Sequence, residues 1–409
     1  PWTVLNYLYA GIGNESAQWL IFIIAVFGLL IALFEKSNAV VDFGFWARKF
    51  IKTPKQALVG TYILGWIIFL EDYLNNLTVG TTMKGMTDRL GVPRLQLAFV
   101  VNTVAAPVCL LIPMSSWAVY YGKLLEDQNV TVNGSGMGAY IAGLPYAFYA
   151  YVILAICLLQ ILGVIPKVGS LKKAWKRVEE TGDVFPEGTE ANIKEEAQAA
   201  LEMEEGDEKH LPFNFLIPMI VMIIVTIAAG IDVLMGSAAG CVVAIIMYLV
   251  QRKMTFFEIL EAGFQGMMNM GFVFVLTVLA FAVQTVNTDL GLADFVIEIA
   301  SPIMKGAFLP ASTFIVCGIY AYATGCFWDL AAIIIPIVIP LATAVGADPL
   351  LVGAAVFSGS ALGSNTCLYG DGVILCSQGC QVKPVDLMMT TLPYAAAAGV
   401  ISVILYIGA

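Results

Sequence analysis

The chain has 409 residues, of which 59% are hydrophobic and only 12% charged, with a formal net charge of −10. Soluble domains run at roughly 45–50% apolar and about 25% charged, so this composition excludes a soluble enzyme or binding module and requires a protein embedded in lipid. The apolar runs are helix-length and do not alternate, which also excludes a transmembrane β-barrel.

The first long apolar run is Ala17–Phe34, followed by the basic cluster Arg48, Lys49, Lys52 and Lys55, which the positive-inside rule assigns to the cytoplasmic side. The chain opens at Pro1 without a cleavable leader, and further residues are expected to precede it. A second run, Ala57–Leu70, stops at Glu71 and Asp72, then passes Asn75, Asn76 and Thr78 to reach Gly80, Thr81 and Thr82. A crossing needs about 20 apolar residues and this run is shorter, so the two acids are expected at membrane depth. Ionisable groups there face a pathway or a partner. A span that turns polar and Gly/Thr-rich midway is how transporters place an ion or substrate between half-helix ends and unwound carbonyls. The competing reading is a helix that ends at the membrane surface.

Three apolar stretches (57–83, 95–112 and 138–165) lie between Lys55 and Lys167, and both basic ends are expected inside. One stretch must therefore enter and leave on the same side. Leu95–Tyr121, which carries Asn102, Thr103, Pro107, Pro113, Ser115 and Ser116, is expected to be that re-entrant hairpin. Pro166–Leu211 then opens basic and closes acidic, with 12 acids against 7 bases. It reads as a charged cytoplasmic loop, solvated, between an N-terminal transmembrane half (1–165) and a C-terminal one (212–409).

In the second half, Leu211–Gly230 and Val233–Val250 form a helical pair that returns to Arg252-Lys253. Glu258 and Glu261 lie in an amphipathic stretch expected at the interface, and Asp289, Asp294 and Glu298 in a similar one. Apolar runs follow at Gly271–Val286, Gly306–Tyr322, Leu330–Val345 and Tyr394–Ile407. Between them come two more breaks. The first holds Thr324, Gly325, Trp328 and Asp329, with Asp329 a candidate proton carrier or, alternatively, the N-cap of the helix ahead. The second holds Ser364, Asn365, Thr366 and Asp371 among four glycines in 359–372, a density of oxygens and amides suited to a hard cation or a carboxylate.

The halves echo each other. A shift of 256 residues places Pro93 on Pro349, Leu95 on Leu351 and Ala98 on Ala354, and brings Asp72 within one residue of Asp329. Paired interrupted segments in corresponding positions are a sequence pointer to a transporter's site. The expected fold is therefore all-α, about 10–12 helices in two inverted repeats (motifs at 66–117 and 322–375), with discontinuous helices and re-entrant hairpins.

Cysteines at 109, 157, 241, 317, 326, 367, 376 and 380 sit mostly inside apolar segments without metal-ligand spacing, and read as packing residues. Glycosylation patterns at Asn129 and Asn133 are too short to argue from. His210 is the single histidine and lies in the charged loop, so a transported proton must ride on a carboxylate, or on a lysine such as Lys84. Neither a Walker motif nor a dinucleotide fingerprint nor a Ser-His-Asp set is present, so nothing points to a pump, an enzyme, a cofactor or nucleic acid.

EDYLNNLTVGTTM, TVAAPVCLLIPMSSW, ATGCFW with its isoleucine/proline run, and GSNTCLYGDGVIL followed by TTLPYA resemble the successive signatures of NhaC-type Na⁺/H⁺ antiporters, in order, over roughly residues 20–405. The resemblance implies a secondary transporter of the bacterial inner membrane, a homodimer and an elevator-like cycle. It departs from the family's pattern where Glu71-Asp72 stand for two aspartates, where Asn102 replaces an aspartate, and where Gly363–Leu368 lack an Asp-His pair. Asp329 in turn stands where a small residue is usual. The substrate set is therefore Na⁺ and H⁺ at Glu71, Asp72, Asn75, Asn76, Thr78, Asn102, Thr103, Ser115, Ser116, Thr324, Asp329, Ser364, Asn365, Thr366 and Asp371, with Na⁺ on Asp72, Asp329 and Asp371. The alternative is a Na⁺- or H⁺-coupled carrier of an amino acid or carboxylate, favoured by Ser364-Asn365-Thr366. An uncoupled channel is a third reading.

Overall fold

A computed structural model describes residues 2–13, 15–39, 42–43, 46, 51–189, 212–230, 232–271, 306–325 and 327–409, with scattered positions between 274 and 290. The described residues form 17 α-helices. More helices arise than the sequence suggests because breaks split spans into pieces.

Four consecutive helices recur. In the first half these are α3 (Pro54–Ile67), α4 (Asp72–Arg89), α5 (Arg94–Leu111) and α6 (Ser116–Asp127). In the second they are α13 (Leu309–Thr324), α14 (Phe327–Val345), α15 (Pro349–Thr366) and α16 (Asp371–Cys380). Their starting positions (54 and 309, 72 and 327, 94 and 349, 116 and 371) each differ by 255 residues. The register found by residue matching was one residue longer.

Local chemistry sets these boundaries. Thr53 caps α3 through Gln56 N–H at 3.2 Å, with Pro54 in the first turn. Asp348 caps α15 ahead of Pro349, and Ser115 caps α6 through Ala118 N–H at 3.1 Å. Gly325 closes α13 in the left-handed conformation (φ 69°), where a side chain would be strained.

The chain reverses between α3 and α4. Asn75 Nδ2 donates to Gly65 O at 2.7 Å and to Ile68 O at 2.9 Å. In an unbroken helix ten residues span about 15 Å, so 68–71 is a hairpin tip. This corrects the expectation that Leu95–Tyr121 is the same-side hairpin. α5 is instead a wholly buried helix long enough to cross, and Pro107 sits within it because neighbouring helices surround it. Nor does α15 fold back on α16: the two are bent by 41° at 367–370, a broken span.

The two basic ends lie together at one end of the bundle. Lys55 Nζ donates to Leu162 O at 3.2 Å, at the end of α8 (Phe148–Leu162). Arg94 N–H donates to Val184 O at 2.9 Å. The start of α3 and the end of α8 therefore share one end of the bundle. At α8's other end, a Cβ on Gly143, the last residue of α7 (Gly136–Gly143), would lie 3.5 Å from Leu350 O at the start of α15. The two repeats thus begin at opposite ends and are inverted.

α5 and α15 form the centre, with α8 and α17 (Pro384–Gly408) packed on both. Outside them lie α1 (Trp2–Gly13), α2 (Glu15–Lys36), α10 (Phe213–Ala228), α11 (Val233–Val250) and α12 (Phe256–Asn269). Ile220, Ile224, Ile227, Val242 and Ile246 on α10 and α11 are exposed, as faces turned to lipid should be. Five described helices are long and apolar enough to cross a membrane, or up to seven if each bent pair is one span. The chain is a multi-pass membrane protein.

The segment after Lys167 differs from the solvated loop expected. Gly169–Thr181 forms α9, capped by Gly182 (φ 73°) and packed on α5 and α17. Trp175 Nε1 donates to Gln96 Oε1 at 3.0 Å, and Phe185 lies 4.2 Å from the Arg94 guanidinium carbon. Arg94 and Asp88 pair at 2.8 Å, buried, and Arg94 also donates to Gln381 Oε1 at 2.6 Å. Residues 190–211, with His210 and most of the acids, lie outside the described set.

Candidate ion site

The first hairpin tip is stitched into the break between α5 and α6. Ser116 N–H donates to Leu70 O at 3.0 Å, Cys109 Sγ to Phe69 O at 3.1 Å, and Trp117 Nε1 to Asp72 Oδ1 at 3.0 Å. The second tip repeats the arrangement against its own break. A Cβ on Gly325 would lie 3.2 Å from Cys367 Sγ and 3.4 Å from Gly370 Cα, and Tyr369 OH donates to Ala323 O.

One bond joins the halves at the two helix starts. Tyr73 OH donates to Asp371 Oδ2 at 3.1 Å, so Asp72 and Asp371, at the starts of α4 and α16, are separated by a single tyrosine. Helix N-termini stabilise such anions through the aligned backbone dipoles. The helices can meet because α4 and α16 cross at glycines: a Cβ on Gly379 would lie 2.7 Å from Leu77 O, and one on Gly80 2.9 Å from Cys380 Sγ. A Cβ on Gly372 would lie 3.1 Å from Ser364 Oγ and 3.4 Å from Asn76 Nδ2, placing Ser364 beside Asn76.

Three buried oxygens here have no hydrogen-bond partner, Asp72 Oδ2, Asn76 Oδ1 and Ser116 Oγ; Asn75 Oδ1 and Thr82 Oγ1 on α4 are also unpartnered, Thr82 about 15 Å along the helix from Asp72. Asp72 and Asn76 lie one turn apart on the same face of α4, and Ser116 adjoins the tryptophan that holds Asp72. Buried polar atoms normally find partners, so an unpartnered set made of oxygens alone marks a place for a cation. The residues fit an oxygen-liganded ion carried as substrate. Among the described residues no group of three His, Cys, Asp or Glu side chains is placed to hold a metal.

Glu71 is buried and caps α4, accepting from Tyr73 N–H at 2.6 Å and Leu74 N–H at 3.1 Å. Other expected site residues are spent on structure. Asn102 Nδ2 donates to Asn365 O at 2.9 Å and Asn365 Nδ2 to Asn102 O at 2.6 Å, while Tyr149 OH donates to Asn365 Oδ1 at 3.0 Å. This reciprocal pair pins α5 to α15. Thr103 bonds back to Phe99 O at 2.7 Å and Thr366 to Leu362 O at 2.7 Å. Ser115 donates to Cys109 O at 2.5 Å. Thr78 is buried, whereas Thr324 is exposed and bonds to Tyr320 O at 2.8 Å. α14 starts two residues before Asp329, so Asp329 lies within the first turn and is not an N-cap; its side chain is outside the described residues. Sequence reasoning passed over Trp117 and Tyr73 as site residues, although each adjoins a residue it did select.

The sequence profile of the Na⁺/H⁺ antiporter family matches residues 108–409. The chain belongs to the Na⁺/H⁺ antiporter family. It is 24% identical to an uncharacterized protein of Haemophilus influenzae, over 99% of this chain and 80% of that one. Its fold resembles the crystal structure of the YdaH transporter of Alcanivorax borkumensis, described as having an unusual topology, with a TM-score of 0.60 and 15% identity over 99% of this chain and 88% of that one. This antiporter-family chain is thus a membrane transporter.

Proposed function

We propose that this protein exchanges Na⁺ for H⁺ across the cytoplasmic membrane of a bacterium, the two cations competing for the Glu71–Asp72 pair. Na⁺ binds the ionised carboxylate, and a proton neutralises it and removes the ion's main ligand. A site that carries one or the other, but not both, couples their opposite movement. The observation that carries this reading is Asp72, wholly buried, with one oxygen held by Trp117 and the other unpartnered among oxygens. Asp371 supplies a second carboxylate across Tyr73, and Asp329 a third in the opposite repeat. The ions are substrates, and no resident cofactor enters.

The two inverted repeats, joined through Tyr73 and the Asn102–Asn365 pair, form one body suited to an elevator-like movement against α2 and α10–α12. A homodimer in the bilayer would hold those outer helices still. The organic-solute alternative leaned on Ser364-Asn365-Thr366, but the Asn365 amide is bonded at both ends within the protein, which favours the ion reading.

Asp72→Asn keeps the side-chain shape and removes the titrating charge. In proteoliposomes it is expected to abolish Na⁺-dependent proton flux, and in purified protein to abolish thermal stabilisation by Na⁺, a ligand of the native state alone. Wild-type flux from the folded variant would sink the reading.

A further inference from the structure

A cavity of about 240 Å³ opens beside the site, between α2, α4, α12 and α16. Among the described residues, Glu35 and Glu71 are the charged side chains on its walls. A second cavity, about 350 Å³, is lined by Lys36, Glu261 and Gln265 and shares Ala32, Glu35 and Asn269 with the first. The outer cavity lies at the end of α2 where Lys36 pairs with Glu261 at 3.0 Å, both partly exposed. Nearby, Lys253 donates to Ser37 O at 3.0 Å, so this is a basic end, which the positive-inside rule assigns to the cytoplasm. The two cavities share Glu35, Ala32 and Asn269 as walls, which places Glu35 between that end and Glu71. A water occupies about 30 Å³ of liquid volume, so the inner cavity has room for several.

We infer that Glu35 is the cytoplasmic relay that exchanges protons and Na⁺ between solvent and the Glu71–Asp72 pair; this rests on the antiport reading above. An intramembrane acid on a water-filled route is the element proton relays are built from. In the outward-loading half-cycle Glu35 takes a proton from solvent, passes it through cavity water to the Glu71 carboxylate, and returns to its own carboxylate. Na⁺ leaving the pair travels the same path and meets Glu35 as its first exposed ligand.

Among the described residues, the other ionisable groups facing Glu35 are Lys36 on its own helix, Glu261 from α12, and Glu71 and Tyr73 from α4. Lys36 is engaged by Glu261, and Lys253 from the end of α11 by Asp42. α16 contributes Leu375 to this wall. The wall is held by a close crossing of α2 and α12, where a Cβ on Gly28 would lie 2.6 Å from Gly266 O.

Glu35→Gln, purified and reconstituted, tests this. Sodium-induced thermal stabilisation is expected within about twofold of wild type, because the Asp72 ligands are intact. The exchange rate is expected to fall on the order of tenfold, less than the ~10²–10⁴ a positioned acid–base group supplies, because water still fills the route. The rate should also lose its dependence on cytoplasmic-side pH, and Glu35→Asp should restore both. An unchanged rate and pH profile would overturn the relay, as would loss of Na⁺ stabilisation in Glu35→Gln or failure of the Asp variant to rescue. Asp72→Asn run alongside separates the two readings: it loses rate and Na⁺ stabilisation together, and if it does not, the antiport reading fails first.

Discussion

Trp117→Phe isolates one hydrogen bond in the proposed site. Trp117 is 1% exposed, and its indole N–H donates to Asp72 Oδ1 at 3.0 Å. Phenylalanine keeps an aromatic ring in the buried position and its edge contact with Tyr121, whose ring centroid lies 5.8 Å away, but it has no donor. A hydrogen bond to an ionised group contributes about 1.5–3 kcal/mol, and each pH unit corresponds to about 1.36 kcal/mol. The N–H favours the ionised carboxylate that binds Na⁺, so removing it favours the protonated form. The pH at which Na⁺ gives half its maximal thermal stabilisation should therefore move up by about 1–2 units. The assay is a thermal-melt titration with NaCl at several pH values, in wild type and in Trp117→Phe. An unmoved midpoint would refute the assignment of Trp117 as the residue that holds the carboxylate ionised.

Gly379→Ala pushes a methyl to 2.7 Å from Leu77 O and should cost about 1–3 kcal/mol by overpacking; the melt falls and transport with it, because the α4–α16 crossing carries the Tyr73–Asp371 bond. A melt equal to wild type would show that the crossing is looser than the geometry indicates. Asn365→Ala leaves the buried Tyr149 hydroxyl without its Asn365 Oδ1 acceptor and removes one bond to the Asn102 carbonyl, an expected loss of about 1–3 kcal/mol for the stranded hydroxyl. Na⁺-dependent pH behaviour of the surviving protein should be unchanged, and a shifted pH profile would return Asn365 to the ion site.

How much was legible depended on what kind of signal each feature leaves. The lipid-embedded all-α class follows from composition, because a chain 59% hydrophobic and 12% charged cannot cover a surface facing water. The breaks were also legible, since Glu71, Asp72, Gly325 and Gly370 interrupt apolar runs at depths where interruption is costly. Counting basic ends required that one of the three stretches between Lys55 and Lys167 return to its own side, and one does. Which stretch it is was decided by packing. Pro107 marks a helix breaker in isolation, yet inside α5 its neighbours surround it, while the reversal at 68–71 is fixed by Asn75 reaching back to Gly65. Such a bond joins residues ten apart and leaves no periodicity to read.

The same distinction separates the site's members. Asn102 and Asn365 resemble ligands in sequence, being amides in apolar segments. Only the tertiary structure brings them face to face, where each satisfies the other's backbone. Trp117 and Glu35 are ordinary residues in sequence, and their roles arise from what stands opposite: a carboxylate 3.0 Å away for Trp117, and a shared cavity wall with Glu71 for Glu35. The sequence by itself determined solvent, helix content and where the backbone must leave the helix, because those depend on each residue's own transfer and conformational energies. Which groups end up paired, and which oxygen stays open for an ion, depends on distances between residues up to about 300 positions apart, such as Tyr73 and Asp371, and those were decided by the packing of the inverted repeats against each other.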